Sequence, residues 1–325
     1  MHASRAGVAL VIVAVAGAVA APLLAPYRTE DRFPDLLNAP PTVPHVVDDG
    51  GAWHAPFIYP WKLASRLEQR YEQDRSVRVP LVWFRGGRLV TSDARQSPFM
   101  LLGGDSYGGD VFSRLLFGGR VSLGLSLVAA LGALAIGGLI GALAGYVGGT
   151  ADDLLMRGTD VVMVLPAIYV ALALRAVLPL VLPPSTVFLF LAVIFAVLGA
   201  PFVARGVRGI VRTERRLEYA VAATSLGAGH VRLLSRHLLP AARGFLFVEL
   251  TLLLPSFIVA EATLSYVGLG FTDPVTTWGT MLSEASNVRT LTDFPWLLSP
   301  AAAIFLFVLG VNLSLEGKTK ALHYN

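Results

Sequence analysis

The residues with the most chemistry to offer crowd into one short stretch. Eight arginines fall between positions 205 and 243 (Arg205, Arg208, Arg212, Arg215, Arg216, Arg232, Arg236 and Arg243), against two glutamates, Glu214 and Glu218. That local excess of six exceeds the +4 net charge of the whole 325-residue chain. Such a cluster suits an anion: a nucleic-acid backbone, lipid headgroups, or the inner side of a membrane under the positive-inside rule. Catalytic chemistry is thin elsewhere. Cysteine is absent, which excludes disulfides and thiolate metal sites. Six histidines show no metal-binding spacing. Gly317-Lys318-Thr319 imitates the end of a phosphate-binding loop. That motif needs a glycine five positions earlier, where Asn312 stands, and a strand before it instead of an apolar helix. Two carboxylates, Glu249 and Glu261, lie within an apolar run.

The elements that must position these groups are membrane helices. Hydrophobic residues make up 54% of the chain and charged ones only 15%, where soluble domains carry about 25% charge. The apolar residues form blocks near the ~20 needed to cross a bilayer. Six such segments are expected, near 6–24, 121–147, 154–182, 186–204, 245–267 and 300–315. The first competes with a cleaved signal peptide, given Arg5 and the small-residue site Ala18-Val19-Ala20, but its apolar run continues to Leu24. Beside such spans the arginine cluster reads as an inner-side loop, not a nucleic-acid site. Both chain termini then lie inside, with residues 26–118 and 268–298 outside. Arg114 and Arg120 fall on the outer side against that bias, with Asp105 and Asp110 as candidate partners.

Within the spans, Gly137, Gly141 and Gly145 share one helical face, which allows close backbone approach in lipid. Pro166 and Pro179 mark kinks. Arg175, about 22 Å along a helix from Asp160, can snorkel to the far interface. Glu249 reads as structural. Glu261 either lines a solute path, pairs with Arg175 or an outer loop, or meets headgroups. Residues 26–104 are polar, proline-rich and aromatic, and form a small α+β insertion. Charge spacing over 63–75 predicts a helix, and 77–91 reads as two strands about Gly86-Gly87, with Pro80 marking an edge.

Inside the arginine-rich loop, good helix formers run from Glu218 to Leu226. They stop at Gly227, which suits a left-handed cap. A second short helix follows, and Pro240 suits the first turn of the next span. Ala220, Ala222 and Ala223 keep the first helix slim, fit for a partner's groove or for lying on headgroups.

This loop resembles the coupling loop of ATP-binding-cassette importer permeases, a pattern of Glu-Ala-Ala, three residues, Gly and a distal hydrophobic-Pro pair. Ala222, Ala223, Gly227, Leu239 and Pro240 match it. The family glutamate falls at Val221, with Glu218 one turn earlier. The stretch from Gly104-Asp105 through Gly108, Asp110, Ser113-Arg114, Gly118, Arg120 and Ser122 resembles the signature of the dipeptide/oligopeptide/nickel permease group, in its second-subunit branch. Gly145–Gly149, Asp153, Met156-Arg157, Leu264–Gly270 and Trp278-Gly279 match as well, with an echo in 37–45. The likeness covers about 104–315, so most of 26–104 looks inserted.

The resemblance implies an all-α polytopic fold of the type I importer class: a first helix over 1–25, the insertion over 26–104 and a permease core over 105–325. It implies a non-catalytic subunit of the bacterial inner membrane. Its partners would be a second homologous permease, two ATP-hydrolysing subunits that hold ATP and Mg, and an external substrate-binding protein, with no cofactor in this chain and no nucleic acid. The rival functions are an ion-gradient-driven transporter, for which no internal repeat is found, and a membrane-anchored protein acting through its outer domain.

Overall fold

Long uninterrupted apolar runs with good helix formers dictate helices, and the computed structural model has them. It describes residues 2–65, 68–92, 97–166, 169–170, 173, 182–286 and 292–323. The chain begins with α1 (His2–Val19) and a short α2 (Ala21–Leu24). Helices α3 (Val111–Val147), α4 (Gly149–Val164) and α5 (Pro184–Glu214) follow the insertion. Next come the short α6 (Glu218–Ser225) and α7 (His230–Leu233), then α8 (Arg243–Tyr266), α9 (Trp278–Glu284) and α10 (Ser299–His323). Among the described residues, four helical stretches are long and apolar enough to cross a membrane: Val111–Val147, Pro184–Glu214, His230–Tyr266 and Pro295–Leu315. The apolar helix Arg5–Val19 is shorter. The expected third span is described only in part, since α4 ends where Leu165 turns extended before Pro166, as a residue preceding proline prefers. Arg175 and Pro179 lie outside the described residues.

Several boundaries differ from the sequence reading. Helix α3 starts ten residues early, at Val111, because Asp110 caps it: its Oδ2 accepts from the Ser113 backbone N–H at 2.9 Å and from the Ser113 hydroxyl at 2.5 Å. Helix α5 continues to Glu214, so Arg205, Arg208 and Arg212 are helical and not part of a loop. The described residues of 63–75 form no helix. Strands β3 (Trp61–Ser65) and β4 (Arg70–Gln73) pair there as an antiparallel hairpin.

The chain divides into two compact units, Met1–Ser122 with Ser265–Gly310, and Leu123–Leu264 with Val311–Asn325. In the first, the segment between α2 and the signature holds seven short strands and one 3-10 turn (Arg85–Gly87), with no α-helix among its described residues. Strands β1 (His45–Val47), β2 (Trp53–Ile58) and β5 (Val79–Pro80) form one antiparallel sheet. Strands β6 (Val82–Trp83) and β7 (Val90–Thr91) make the hairpin about Gly86 and Gly87 that the sequence foretells. Ile58, Val79, Leu81 and Phe99 make a small core beneath them.

In the second unit, the glycine face of α3 does what its spacing predicts. A Cβ at Gly137 or Gly141 would overlap the backbone carbonyl oxygen of Ala200 or Ala204, and one at Gly145 would lie 2.6 Å from that of Arg208. Helices α3 and α5 therefore touch backbone to backbone, the contact that lipid-embedded helices use in place of a hydrophobic driving force. Gly141→Ala is expected to destabilise this packing by about 1–3 kcal/mol, read as an earlier midpoint when the purified protein is unfolded in mixed detergent. Gly138→Ala, whose Cβ meets nothing within 4 Å, should show no loss.

Candidate functional site

Three residues after α5 the chain turns into α6. Leu217 is extended (φ −75°, ψ 152°) and opens the helix, and Glu218 stands in its first turn, where a carboxylate favours the positive helix end. The helix ends in a full Schellman cap. Gly227 takes φ +83°, its N–H donates to Thr224 O at 3.0 Å, and the Ala228 N–H donates to Ala223 O at 3.0 Å. The left-handed position read from sequence is therefore occupied as expected. Ala220 is buried and anchors the helix, whereas Ala222 is exposed and Ala223 half-buried. Leu226 and Val231 are 89% and 82% exposed, and Val221, at the position of the family glutamate, is 54% exposed. Three large apolar side chains thus stand exposed in an otherwise charged region.

The base of this loop is fastened by its arginines. Arg208 grips Asp152 of α4 with both fork nitrogens, at 2.5 and 2.6 Å, and Arg212 lies 3.7 Å from the same carboxylate. Arg205 pairs with Asp160. Arg215 donates to the Tyr146 carbonyl and sits 5.1 Å over that tyrosine ring, a cation–π contact. The Tyr146 hydroxyl in turn meets His230 Nδ1 at 2.5 Å. The Arg208 fork holds the Asp152 carboxyl below the usual carboxylate range. Half of the cluster is therefore structural clamp. Arg216, Arg232, Arg236 and Arg243 form no ion pair among the described residues. After α7 comes a π-helical turn (Leu234–Leu238), then a 3-10 turn (Leu239–Ala242) that takes Pro240 near its start. The widened turn accommodates a residue with no N–H to give, and Leu239 and Pro240 are both half-buried.

Glu261 is fully buried, which removes exposure to headgroups from its three alternatives. Among the described residues, no group of three or more His, Cys, Asp or Glu could hold a metal ion.

The signature residues converge in the other unit. Asp105 Oδ1 accepts from the backbone of Tyr107 and Gly109 at 2.8 and 2.7 Å. Added Cβ atoms at Gly104 and Gly108 would strike the backbone of Leu36 and Phe33, so the segment leading into the 37–45 echo packs directly on the signature. Arg114, 2% exposed, pairs with Asp105 and reaches Glu284 with two nitrogens at 2.7 and 2.6 Å. The Trp278 indole donates to Leu115 O at 3.0 Å, and the Trp278 N–H to Ser122 Oγ at 3.2 Å. Sequence reasoning paired Arg114 with Asp105 correctly and missed Glu284. It also offered Asp110 as a partner for an arginine, whereas that carboxylate caps α3 and Arg120 is exposed.

Burial pushes the Asp110 carboxyl up to about 7, and its Oδ1 has no hydrogen-bond partner among the described residues. The folded protein therefore holds a proton there that the unfolded chain releases near pH 4. Its contribution to stability is complete below about pH 4 and declines as pH rises through about 7. Asp110→Asn keeps a good cap and removes the titration. The variant should melt at a higher temperature than the parent at pH 8, with the difference shrinking at pH 5.

Long apolar helices, with a capped and exposed short helix hung between two of them, define a membrane transport permease. The chain belongs to the family described as binding-protein-dependent transport system inner membrane components, which matches residues 137–323. It is 35% identical over 235 residues to the oligopeptide transport system permease protein OppC of Bacillus subtilis (strain 168), covering 72% of this chain and 74% of that one. It is 36% identical over 221 residues to the glutathione transport system permease protein GsiD of Pectobacterium atrosepticum, covering 68% and 71%. With the di/tripeptide transport system permease protein DppC of Pseudomonas aeruginosa it shares 31% identity over 317 residues, 97% of this chain and 86% of that one. The chain is thus a multi-pass inner-membrane permease subunit of an ATP-binding-cassette importer, and it catalyses no hydrolysis itself.

Proposed function

We propose that the chain forms half of a translocation path for peptides. A second homologous permease forms the other half, two ATP-hydrolysing subunits holding ATP and Mg drive it, and an external binding protein delivers cargo. The observation that carries this is the exposure of three apolar side chains, Val221 on α6, Leu226 at its cap and Val231 on α7, in a loop whose base is clamped. Apolar side chains so exposed suit a protein groove, and a rigid base transmits a push that a loose loop would absorb. Val221 and Leu226 offer the ATPase an apolar contact, and Glu218 supplies the polar one. The relatives named for oligopeptides, glutathione and di/tripeptides support a peptide cargo.

Six spans complete this reading: the four long apolar stretches, the N-terminal helix, and a third span running on from α4. The arginine-rich loop faces the cytoplasm with both termini, and residues 26–118 face outward, with 26–104 as the insertion domain. Glu249 serves packing. A photo-crosslinking amino acid at position 226 or 231 of the assembled complex tests the central claim. Adducts with the ATP-hydrolysing subunit are expected, and adducts with lipid alone would overturn it.

A further inference from the structure

The segment between α2 and the signature holds an open cleft of about 940 Å³. Trp61, Lys62, Leu63 and Ala64 of β3 all line it. Successive side chains of a strand point to opposite faces, so four consecutive residues can border one cavity only if the edge of the strand faces it. The pairing agrees. Among the described residues β3 pairs only with β4, in a two-stranded sheet, and the Asp74 N–H donates to Pro60 O at 2.8 Å. With Trp61 opposite Gln73, Lys62 opposite Glu72 and Leu63 opposite Tyr71, the antiparallel alternation turns the backbone groups of Lys62 toward β4. It turns those of Trp61 and Leu63 away from it, toward the cleft.

Two side chains on the same wall also lack partners. The Thr42 hydroxyl, on a residue 3% exposed, and the Trp61 indole N–H are buried with no hydrogen bond among the described residues. Buried polar atoms are rarely left so, and both can donate to a carbonyl. Arg32 and Asp35 put both signs of charge on the rim. An open strand edge, unpartnered donors and charges of both signs fit one chemistry: an extended peptide with its two charged ends.

We propose that β3 is a second, low-affinity docking strand for cargo peptides, which add to its free edge before they enter the path. This rests on the peptide-importer reading above. A peptide of about five residues matches the length of β3 at roughly 3.3 Å per residue, and strand addition reads backbone while tolerating most side chains.

The test uses the full chain in lipid nanodiscs without its binding protein. The probe is an alanine-rich pentapeptide with free termini and a fluorophore on a central lysine side chain, followed by anisotropy. N-methylation of amides at alternate positions should weaken binding about tenfold for the parity that meets β3 and hardly at all for the other. Leu63→Pro removes an outward N–H that β4 does not use, and it should reproduce the loss. The methylated peptides need no protein variant, so a misfolded Leu63→Pro would not spare the proposal. Equal effects at both parities, or no binding to the parent chain, would overturn it. Failure here with ATP-driven peptide uptake intact in the complex would sink the docking strand alone. Absence of such uptake would sink the importer reading instead.

Discussion

Gly227→Val is expected to leave the chain inserted and its partner ATPase active while cutting ATP-driven uptake roughly tenfold or more, since about 1.4 kcal/mol suffices for that factor. Gly227 stands at φ +83°, where a side chain costs roughly 1–2 kcal/mol and a β-branched one more. A Cβ there meets nothing within 4 Å, so the substitution acts through the backbone alone. To relieve the strain the chain must give up the two cap bonds to Ala223 and Thr224, and with them the angle at which Leu226 and Val231 are held. These apolar side chains would then sit in a partner's groove without a rigid lever behind them. Uptake per ATP hydrolysed, measured in proteoliposomes, reads this directly. Gly227→Asn, which tolerates the left-handed region, should retain most coupling. Equal coupling in the valine variant would show that the cap does not transmit the stroke.

What the sequence made legible is mostly what backbone geometry requires. Gly227 as a left-handed cap and Gly137, Gly141 and Gly145 as a close-approach face follow from the absence of a Cβ, and such requirements are local. The length of α5 was not local. Arg205, Arg208 and Arg212 look like the start of a loop because charge ends an apolar run. They remain helical because Asp152 and Asp160 on α4 receive two of them directly. The hairpin at 61–73 misled in the opposite sense. Its alternating charges satisfy helical spacing over 63–75, yet Gln69 adopts a positive φ and Lys62 pairs with Asp74 at 2.5 Å. The first is a turn feature and the second a cross-strand pair at the open end of the hairpin, and a count of periodicity overlooks both. Of the proposed coupling site, Gly227, Ala220 and Pro240 could be placed in advance. The exposed apolar residues could not, because exposure of Leu226 and Val231 depends on what fails to pack against them.

Glu284 is the hardest residue to foresee, 170 positions from the arginine it binds, and it leads to the largest stability effect expected. Arg114 neutralises two carboxylates at once, Asp105 and Glu284, and is almost wholly buried with Asp105. Removing one partner of a buried ionic group costs about 3–5 kcal/mol, because the charges left behind stay desolvated. Arg114→Met should therefore lower the melting temperature of the purified permease by roughly 6 °C or more, taking about 2 °C per kcal/mol for a chain of this size. Arg114→Lys should fall between, since a single ammonium cannot reproduce a fork that reaches two acids. The informative variant is Arg114→Met combined with Glu284→Gln. If the loss comes from stranded charge, neutralising Glu284 returns part of the stability although one more native contact has gone. If the double variant is worse than the single, packing around the guanidinium matters more than its charge, and Asp105 is held by its backbone donors from Tyr107 and Gly109 without help. Either way, the signature loop and α9 are fastened by side chains whose partners no local pattern reveals.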